Sequence, residues 1–201
     1  MAELLLATNN QGKLQEIKAI LSDISIIILT PRQLNIALEV PEDGTNYKEN
    51  AYLKASTFAA ASGLISLADD SGLEVDVLDG LPGLHSARFS TKENATDIDR
   101  RHHLLTILLG KPKPWTARFR SVVAIATPVG EVFYSEGICA GEIISEQRGG
   151  GGFGYDPIFL LPEYGKTMAE LSMTQKNKIS HRGQAIHAAV PILKKLYQDM
   201  R

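Results

Sequence analysis

Four short stretches of this sequence carry side chains whose types and spacing suit chemistry on a charged ligand. The first is Thr8-Asn9-Asn10-Gln11-Gly12-Lys13, between an apolar run and a stretch of helical spacing. Backbone N–H groups at a helix N-terminus bind anions, and the turn after a strand is where α/β folds place ligands. Gly12 permits close backbone approach, and Lys13 adds a point charge suited to phosphate. The G-x-x-x-x-G-K-[S/T] spacing of a P-loop is absent. The plain alternative is a polar turn with a helix cap. The second stretch is Asp69-Asp70-Ser71-Gly72, at the end of an apolar run. Adjacent carboxylates repel, and a divalent cation is the natural compensation. Mg²⁺ usually takes one or two carboxylates plus substrate phosphates. Successive strand residues face opposite ways, so both acids reach one ion only if the chain turns here. Ser71-Gly72 is expected to supply that turn. The alternative is an acidic β-turn.

The third stretch is a glycine run followed by Phe153-Gly154-Tyr155-Asp156-Pro157. Five glycines within 149–154 are costly to order, which suggests a loop that passes close to a ligand or moves over it. Phe153 or Tyr155 could stack on a planar base, and Asp156 could accept from its ring nitrogens. A flexible turn with a buried aromatic is the alternative. The fourth combines Lys176 with Ser180-His181-Arg182-Gly183, where Arg182 offers fixed donors for a carbonyl oxygen or a phosphate. Here the alternative is Ser180 as a helix cap beside a solvated His-Arg pair. Glu42, Glu49, Asn50 and Lys54 are single polar residues in or near a helix, with Asn50 and Lys54 on one face. Each alone reads as a solvated residue. Cys139, the single cysteine, reads as a small buried apolar residue, and no disulfide can form within the chain. The histidines show no metal-ligand spacing.

The elements that must position these residues follow from periodicity. Leu4–Ala7 reads as a strand, Gly12–Ser22 as a helix and Ile24–Leu29 as a second strand. Asn46–Ser62 reads as a helix capped by Gly63. Leu64–Ala68 and Leu73–Leu78 read as strands on either side of the expected turn, and Asp79–Phe89 as an irregular loop. Ala95–Leu109 reads as a helix with Thr96 as its cap and a stripe at Ile98, Leu105, Leu108 and Leu109. Thr116–Thr127 and Glu131–Ile144 form a long hairpin. Ile158–Leu161 is a short strand, while Thr167–Ser172 and Ser180–Met200 read as helices. Pro191 predicts a kink or a late start in the last one. The fold expected is α/β: a mixed central sheet with flanking helices and a long antiparallel hairpin, as a single domain over residues 1–201.

The 201 residues are 44% hydrophobic and 22% charged, an ordinary globular composition. No run approaches the length of a membrane span, and no signal-peptide pattern opens the chain. A net charge of −2 offers no global basic field, so neither nucleic acid nor membrane is an expected partner. The charge is uneven, however. Residues 1–100 carry 8 basic and 15 acidic side chains, and residues 101–201 carry 13 and 8. Acid comes mainly from one half and base from the other, which fits either an acidic and a basic surface or a site that draws each sign from a different half.

Taken together, the stretches resemble the inosine triphosphate pyrophosphatase family (Ham1-like). T-x-N-x-x-K is matched by Thr8, Asn10 and Lys13, and E-N-A-x-x-K-A by Glu49 to Ala55. D-D-S-G-L-x-V-D is matched by Asp69 to Asp76, and G-x-P-G-x-x-S-A-R-[FY] by Gly80 to Phe89. G-G-F-G-Y-D-P-I-F is matched by Gly151 to Phe159, and S-H-R-G-x-A by Ser180 to Ala185. Each motif alone is weak, but six in order are specific. The resemblance implies hydrolysis of non-standard purine nucleoside triphosphates (ITP, dITP, XTP) to the monophosphate and pyrophosphate, with Mg²⁺. It implies Asp70 as the catalytic acid, either metal ligand or base for the attacking water. Glu42 would be a second metal ligand, with Asp69 as a further candidate. Thr8, Asn9, Asn10, Gln11, Gly12, Lys13 and Lys54 would hold the triphosphate, and Ser71 would touch substrate. Phe153, Gly154, Tyr155, Asp156, Lys176, His181 and Arg182 would line the base pocket, Phe153 by stacking and Arg182 by reading the 6-oxo group. A cytoplasmic homodimer is the family expectation.

Two other classes fit parts of the pattern. One is a nucleotide pyrophosphatase with another base preference, such as the related Maf-like enzymes that act on modified pyrimidines. The other is a catalytically silent nucleotide-binding module. Against the latter, binding alone does not need a metal-capable acid pair.

Overall fold

The computed structural model describes residues 2–199. The chain runs β1 (Ala2–Leu6), α1 (Gln11–Ile20), β2 (Ile26–Leu29), α2 (Tyr47–Ser62), β3 (Ile65–Val75) and α3 (Asp97–Leu108). It continues with β4 (Trp115–Ala126), β5 (Val132–Ile143), β6 (Phe159–Leu161), β7 (Lys166–Thr167), α4 (Met173–Ile179) and α5 (His181–Asp199). The strands follow the order β2-β1-β3-β4-β5-β6-β7 in one mixed sheet. β1 pairs in parallel with β2 and β3, and β6 pairs antiparallel with β5 and β7. This is the mixed α/β architecture that the alternating strand–helix pattern and the hairpin lead one to expect.

The helices begin where side chains can satisfy their first N–H groups. Asn10 caps α1 by accepting from the Lys13 N–H, and Asn46 caps α2 by accepting from the Glu49 N–H. Thr96 and Asp99 form a reciprocal capping box at α3. Gly63 closes α2 at φ 69°, the left-handed conformation that favours glycine.

Several local expectations are corrected. No turn interrupts 69–72; β3 runs unbroken from Ile65 to Val75. The strand continues through the acidic stretch, so the two aspartates, being successive strand residues, face opposite sides. The helix expected at Thr167–Ser172 is a strand end and a 3-10 turn capped by Thr167 and Glu170. The helix itself starts at Met173, where Ser172 and Gln175 make a second capping box. The Asp79–Phe89 loop is largely a 3-10 helix over Gly83–Arg88. On α3 the buried face is Arg101, Leu104 and Leu108, while Ile98 and Leu109 are exposed. α5 starts at His181 and its helical assignment passes through Pro191, so there is no late start. Its expected last residue, Met200, lies outside the described residues.

The chain packs as two compact units. The first comprises 1–70, 121–137 and 181–201, and the second 71–120 and 138–180. The first unit's core is built from Leu4 and Leu6 of β1, Leu14 and Ile17 of α1, Ile65 and Leu67 of β3, Val123 and Ile125 of β4, and Ala185, Ile186, Ala189 and Leu193 of α5. The second unit's core centres on Leu73, Val75, Leu104, Leu108, Phe119, Ile158 and Phe159. Cys139 belongs to this second core and is buried, as expected of a small apolar residue.

Candidate active site

In the first unit the chemistry gathers around the middle of β3. Alternation along the strand puts Asp69 on the same face as Ile65 and Leu67, which pack with α1 and α5. Asp69 accordingly meets Lys13 of α1 and Arg182 of α5. Lys13 Nζ lies 2.8 Å from Asp69 Oδ2, and Arg182 Nε lies 3.1 Å from the same oxygen. Ser121 Oγ donates to Asp69 Oδ1. Arg182 Nη1 reaches Glu16 Oε2 at 2.5 Å, so two cations and two carboxylates interlock in a buried network. Burial pushes the Asp69 carboxyl up, but Arg182 and Lys13 outweigh it and hold it well below the usual carboxylate range. For Lys13 burial dominates and its pKa is lowered despite Asp69, with the Arg182 and Lys54 charges adding to the fall. For Arg182 burial opposes the charge, yet Asp69 and Glu16 raise its pKa.

Asp70 faces the other way, toward α2. Lys54 Nζ is 2.8 Å from Asp70 Oδ1 and 3.0 Å from Glu42 Oε1. Asn50 Nδ2 donates to Asp70 Oδ2 at 3.3 Å. Burial would discharge Lys54, but Asp70 and Glu42 reverse this and its pKa is raised. Lys13 and Lys54 also donate to one backbone oxygen, the Asp69 carbonyl, at 3.1 and 3.3 Å. Two ammonium groups from two helices therefore converge on one strand position. The Thr8–Lys13 turn adds the capped N-terminus of α1, with Thr8 Oγ1 accepting from the Asn10 N–H and Gln11 Nε2 donating to the Asn9 carbonyl. Such a terminus carries partial positive charge.

Among the described residues, Asp70 and Glu42 offer a donor set that fits a hard divalent cation. Asp70 and Glu42 bring carboxylate oxygens from two segments to the same Lys54 ammonium. Glu42 keeps its side chain 39% exposed, so water and phosphate can share the coordination sphere. Among the described residues, no cluster of three or more His, Cys, Asp or Glu could hold a metal by itself. Asp69, also a candidate ligand from sequence, does not fit. Its side chain is fully buried, and Lys13, Arg182 and Ser121 already occupy it.

In the second unit, the aromatic loop is held tightly. Asp156 Oδ2 takes the Lys176 ammonium at 2.5 Å and the Phe153 N–H at 2.9 Å. Lys176 Nζ sits 5.1 Å from the Phe153 ring centroid, within cation–π range. Phe153 is half-buried. Tyr155 is different: it lies in the core and its hydroxyl donates to the Ser86 carbonyl at 2.9 Å, so it is no stacking surface. The glycines serve close packing. A side chain on Gly152 would begin 2.0 Å from Asp156 Oδ2, and one on Gly149 would begin 2.5 Å from the Ala169 carbonyl oxygen. Gly151 N–H also bonds Ala169 O at 3.0 Å. These contacts tie the glycine run to Asp156 and to the Ala169 backbone. Ser71, half-buried, belongs to this unit; His181, buried at the start of α5, belongs with Arg182 to the first.

Four residues at these sites carried no functional signal in the sequence. Glu16 and Ser121 complete the Asp69 network, and Asp97 and Arg101 bond Gly154. Their partners lie between 52 and 166 residues away, beyond any local pattern. Only the odd placement of Glu16 and Arg101 on apolar helix faces could have hinted at buried partners.

Residues 4–192 match the profile of the Ham1 family. The chain is 47% identical over 196 residues to the dITP/XTP pyrophosphatase of Desulforamulus reducens, covering 97% of each. It is 44% identical over 194 residues to that of Thermus thermophilus, covering 96% of this chain and 92% of the relative. Among solved structures, a HAM1 protein from Coxiella burnetii superposes with a TM-score of 0.87 at 37% identity, covering 97% of this chain and all of that one. The Staphylococcus aureus Ham1 protein gives 0.84 at 39% identity, with 96% and 98% covered. The six ordered motifs, the mixed sheet and these likenesses agree: the chain belongs to the Ham1 family.

Proposed function

We propose that this chain hydrolyses dITP, ITP and XTP to the nucleoside monophosphate and pyrophosphate, in a Mg²⁺-dependent reaction that clears non-standard purines from the nucleotide pool. The observation that carries the reading is the convergence of Lys13 and Lys54 on the Asp69 carbonyl, beside the Asp70–Glu42 pair and the N-terminus of α1. That arrangement offers three positive groups to a polyanion and two carboxylates to its counterion. The names of the curated relatives, dITP/XTP pyrophosphatase, support the substrate class.

Asp70 and Glu42 would hold Mg²⁺, which when bound neutralises phosphate charge and polarises the P–O bonds. Lys13, Lys54 and the Thr8–Lys13 backbone hold the triphosphate and take up charge that develops as the α–β anhydride opens. Asp70, fixed by Lys54 and Asn50, orients the attacking water and accepts its proton. Asp69 contributes through Lys13, by keeping the ammonium at the turn. Phe153 stacks on the base, and Lys176 with Asp156 supplies polar groups for its edge. Arg182, whose Nε donates to Asp69 and whose Nη1 donates to Glu16, would read the 6-oxo oxygen. A pocket built to bond that oxygen leaves donors unpaired when an amino group replaces it, which disfavours adenine. The proposal includes a cytoplasmic homodimer, on the strength of the family resemblance. Among the described residues, no helix is long and apolar enough to cross a membrane.

The test is incubation with Mg²⁺ and ITP, XTP, dITP, GTP or ATP separately, with product identification. Pyrophosphate from the 6-oxo, 2-amino-free substrates is expected. Orthophosphate as the product, or equal turnover of ATP and ITP, overturns the reading. Asp70→Asn should lose about 10²–10⁴-fold in kcat while still binding nucleotide.

A further inference from the structure

The Phe153 loop has an anchor that no motif announces. Phe153 sits between Gly152 and Gly154, both at positive φ (69° and 59°), so the backbone that carries the ring is intrinsically loose. Yet Gly154 is gripped at both of its polar groups. Its N–H donates to Asp97 Oδ2 at 2.7 Å, and its carbonyl accepts from Arg101 Nη1 at 2.6 Å. Asp97 and Arg101 stand one turn apart on the same face of α3. Each is itself braced. Arg101, buried, donates from Nε to Gln147 Oε1 at 2.9 Å, at the other end of the glycine run. Asp97 pairs with Arg100, whose Nη1 also donates to the Ala95 carbonyl at 2.6 Å. The α3 pair thus fixes the residue after Phe153, while Asp156 fixes the Phe153 N–H itself.

We propose that Asp97 and Arg101 are positioning residues for base recognition, clamping Gly154 through both its N–H and its carbonyl and thereby setting the Phe153 ring for stacking. They touch no substrate; they act through the loop. This rests on the reading of Phe153 and Lys176 as base-contacting residues. Loss of the clamp releases a glycine-rich segment whose ordering entropy must then be supplied at binding. The cost falls on substrate affinity and base discrimination, and little of it falls on the chemical step at Asp70.

Amide hydrogen exchange of the 149–156 segment and steady-state kinetics on ITP and ATP, in wild type, D97A, D97N and R101M, test this. The Gly154 amide should be protected in wild type and in D97N, whose side-chain oxygen still accepts, and should exchange at least about tenfold faster in D97A. KM for ITP should rise about tenfold in D97A and R101M, as expected for loss of a charge-assisted hydrogen bond. kcat should stay within about threefold, the ITP-to-ATP ratio of kcat/KM should shrink, and D97N should recover most of the loss. A merely structural role would lower the active fraction, reducing kcat and leaving KM and the ratio in place, and that result overturns the proposal. A rapidly exchanging Gly154 amide in the wild type overturns it without any variant. If the wild type fails to discriminate ITP from ATP, the base-pocket reading fails, and the exchange data still judge the clamp on its own.

Discussion

Replacing Asp69 by asparagine separates two roles that the sequence could not. If Asp69 and Asp70 were a repelling pair around a metal, neutralising one would stabilise the metal-free protein. The structure puts Asp69 instead between Lys13 and Arg182, with its side chain fully buried. Asparagine keeps the shape and can still accept from Ser121, but it leaves two cations facing a neutral group. Removing one partner of a buried ion pair typically costs about 3–5 kcal/mol. Arg182 retains Glu16 at 2.5 Å, so the lower end, about 3 kcal/mol, is expected. For a chain of this size each kcal/mol moves Tm by about 2–4 °C, giving a fall of roughly 6–12 °C. The assay is thermal unfolding followed by circular dichroism, with chelator present so that metal plays no part. A Tm within about 2 °C of wild type, or above it, would refute the ion-pair hub and return Asp69 to the metal site.

Three further outcomes are expected. Lys54→Met should raise KM for ITP and weaken Mg²⁺ dependence together, because Lys54 contacts both Asp70 and Glu42; a change in neither would detach Lys54 from the site. Cys139 should resist alkylation in the native protein at pH 8: burial, then the Asp156 and Glu163 charges, push its thiol up to about 11, leaving roughly two hundred-fold less thiolate than an unfolded cysteine. Native labelling within about tenfold of the urea-unfolded rate would contradict that burial. Asp97 is held below its ordinary pKa: burial raises it, but the Gly154 amide and the Arg100 and Arg101 charges outweigh burial. Its ionic contribution is therefore full above the ordinary aspartate range and lost as pH falls through the lowered value. The urea midpoint of wild type relative to D97N should hold steady from pH 8 to 5 and shrink in stronger acid, and a gap that widens on acidification would reverse the assigned sign.

The strands and most helices were legible because their periodicities are strong and their caps are local. Asn10, Asn46 and Thr96 each bond an N–H three residues on. Thr8–Lys13 and Asp70 stood out as candidates for a similar reason, each beside an element whose type the pattern settles, while Lys54 alone read as a solvated residue and only the family resemblance pointed to it. Asp69-Asp70-Ser71-Gly72 misled because its composition is that of a turn, while its conformation is set by strand pairing and by Lys13, Ser121 and Arg182, up to 113 residues away. The glycine run left two readings open, a loop passing close to a ligand or one moving over it. Glycines at 149 and 152 serve close contact with Ala169 and Asp156, and a loop rich in glycine is here a tightly bonded one. Thr167–Ser172 has helix-forming residues, but two capping boxes in succession divert it first into a 3-10 turn and then start α4 later. Asp97, Arg101 and Glu16 lay outside any motif because each acts through a partner that only the fold brings near.

The position of bond cleavage tests the central claim most directly. ITP is hydrolysed with Mg²⁺ in ¹⁸O-enriched water and both products are analysed by mass spectrometry. Attack on the α-phosphorus, with Lys13 and Lys54 holding the departing pyrophosphate, places one ¹⁸O in the monophosphate and none in pyrophosphate. Label in pyrophosphate, or release of labelled orthophosphate, would contradict it.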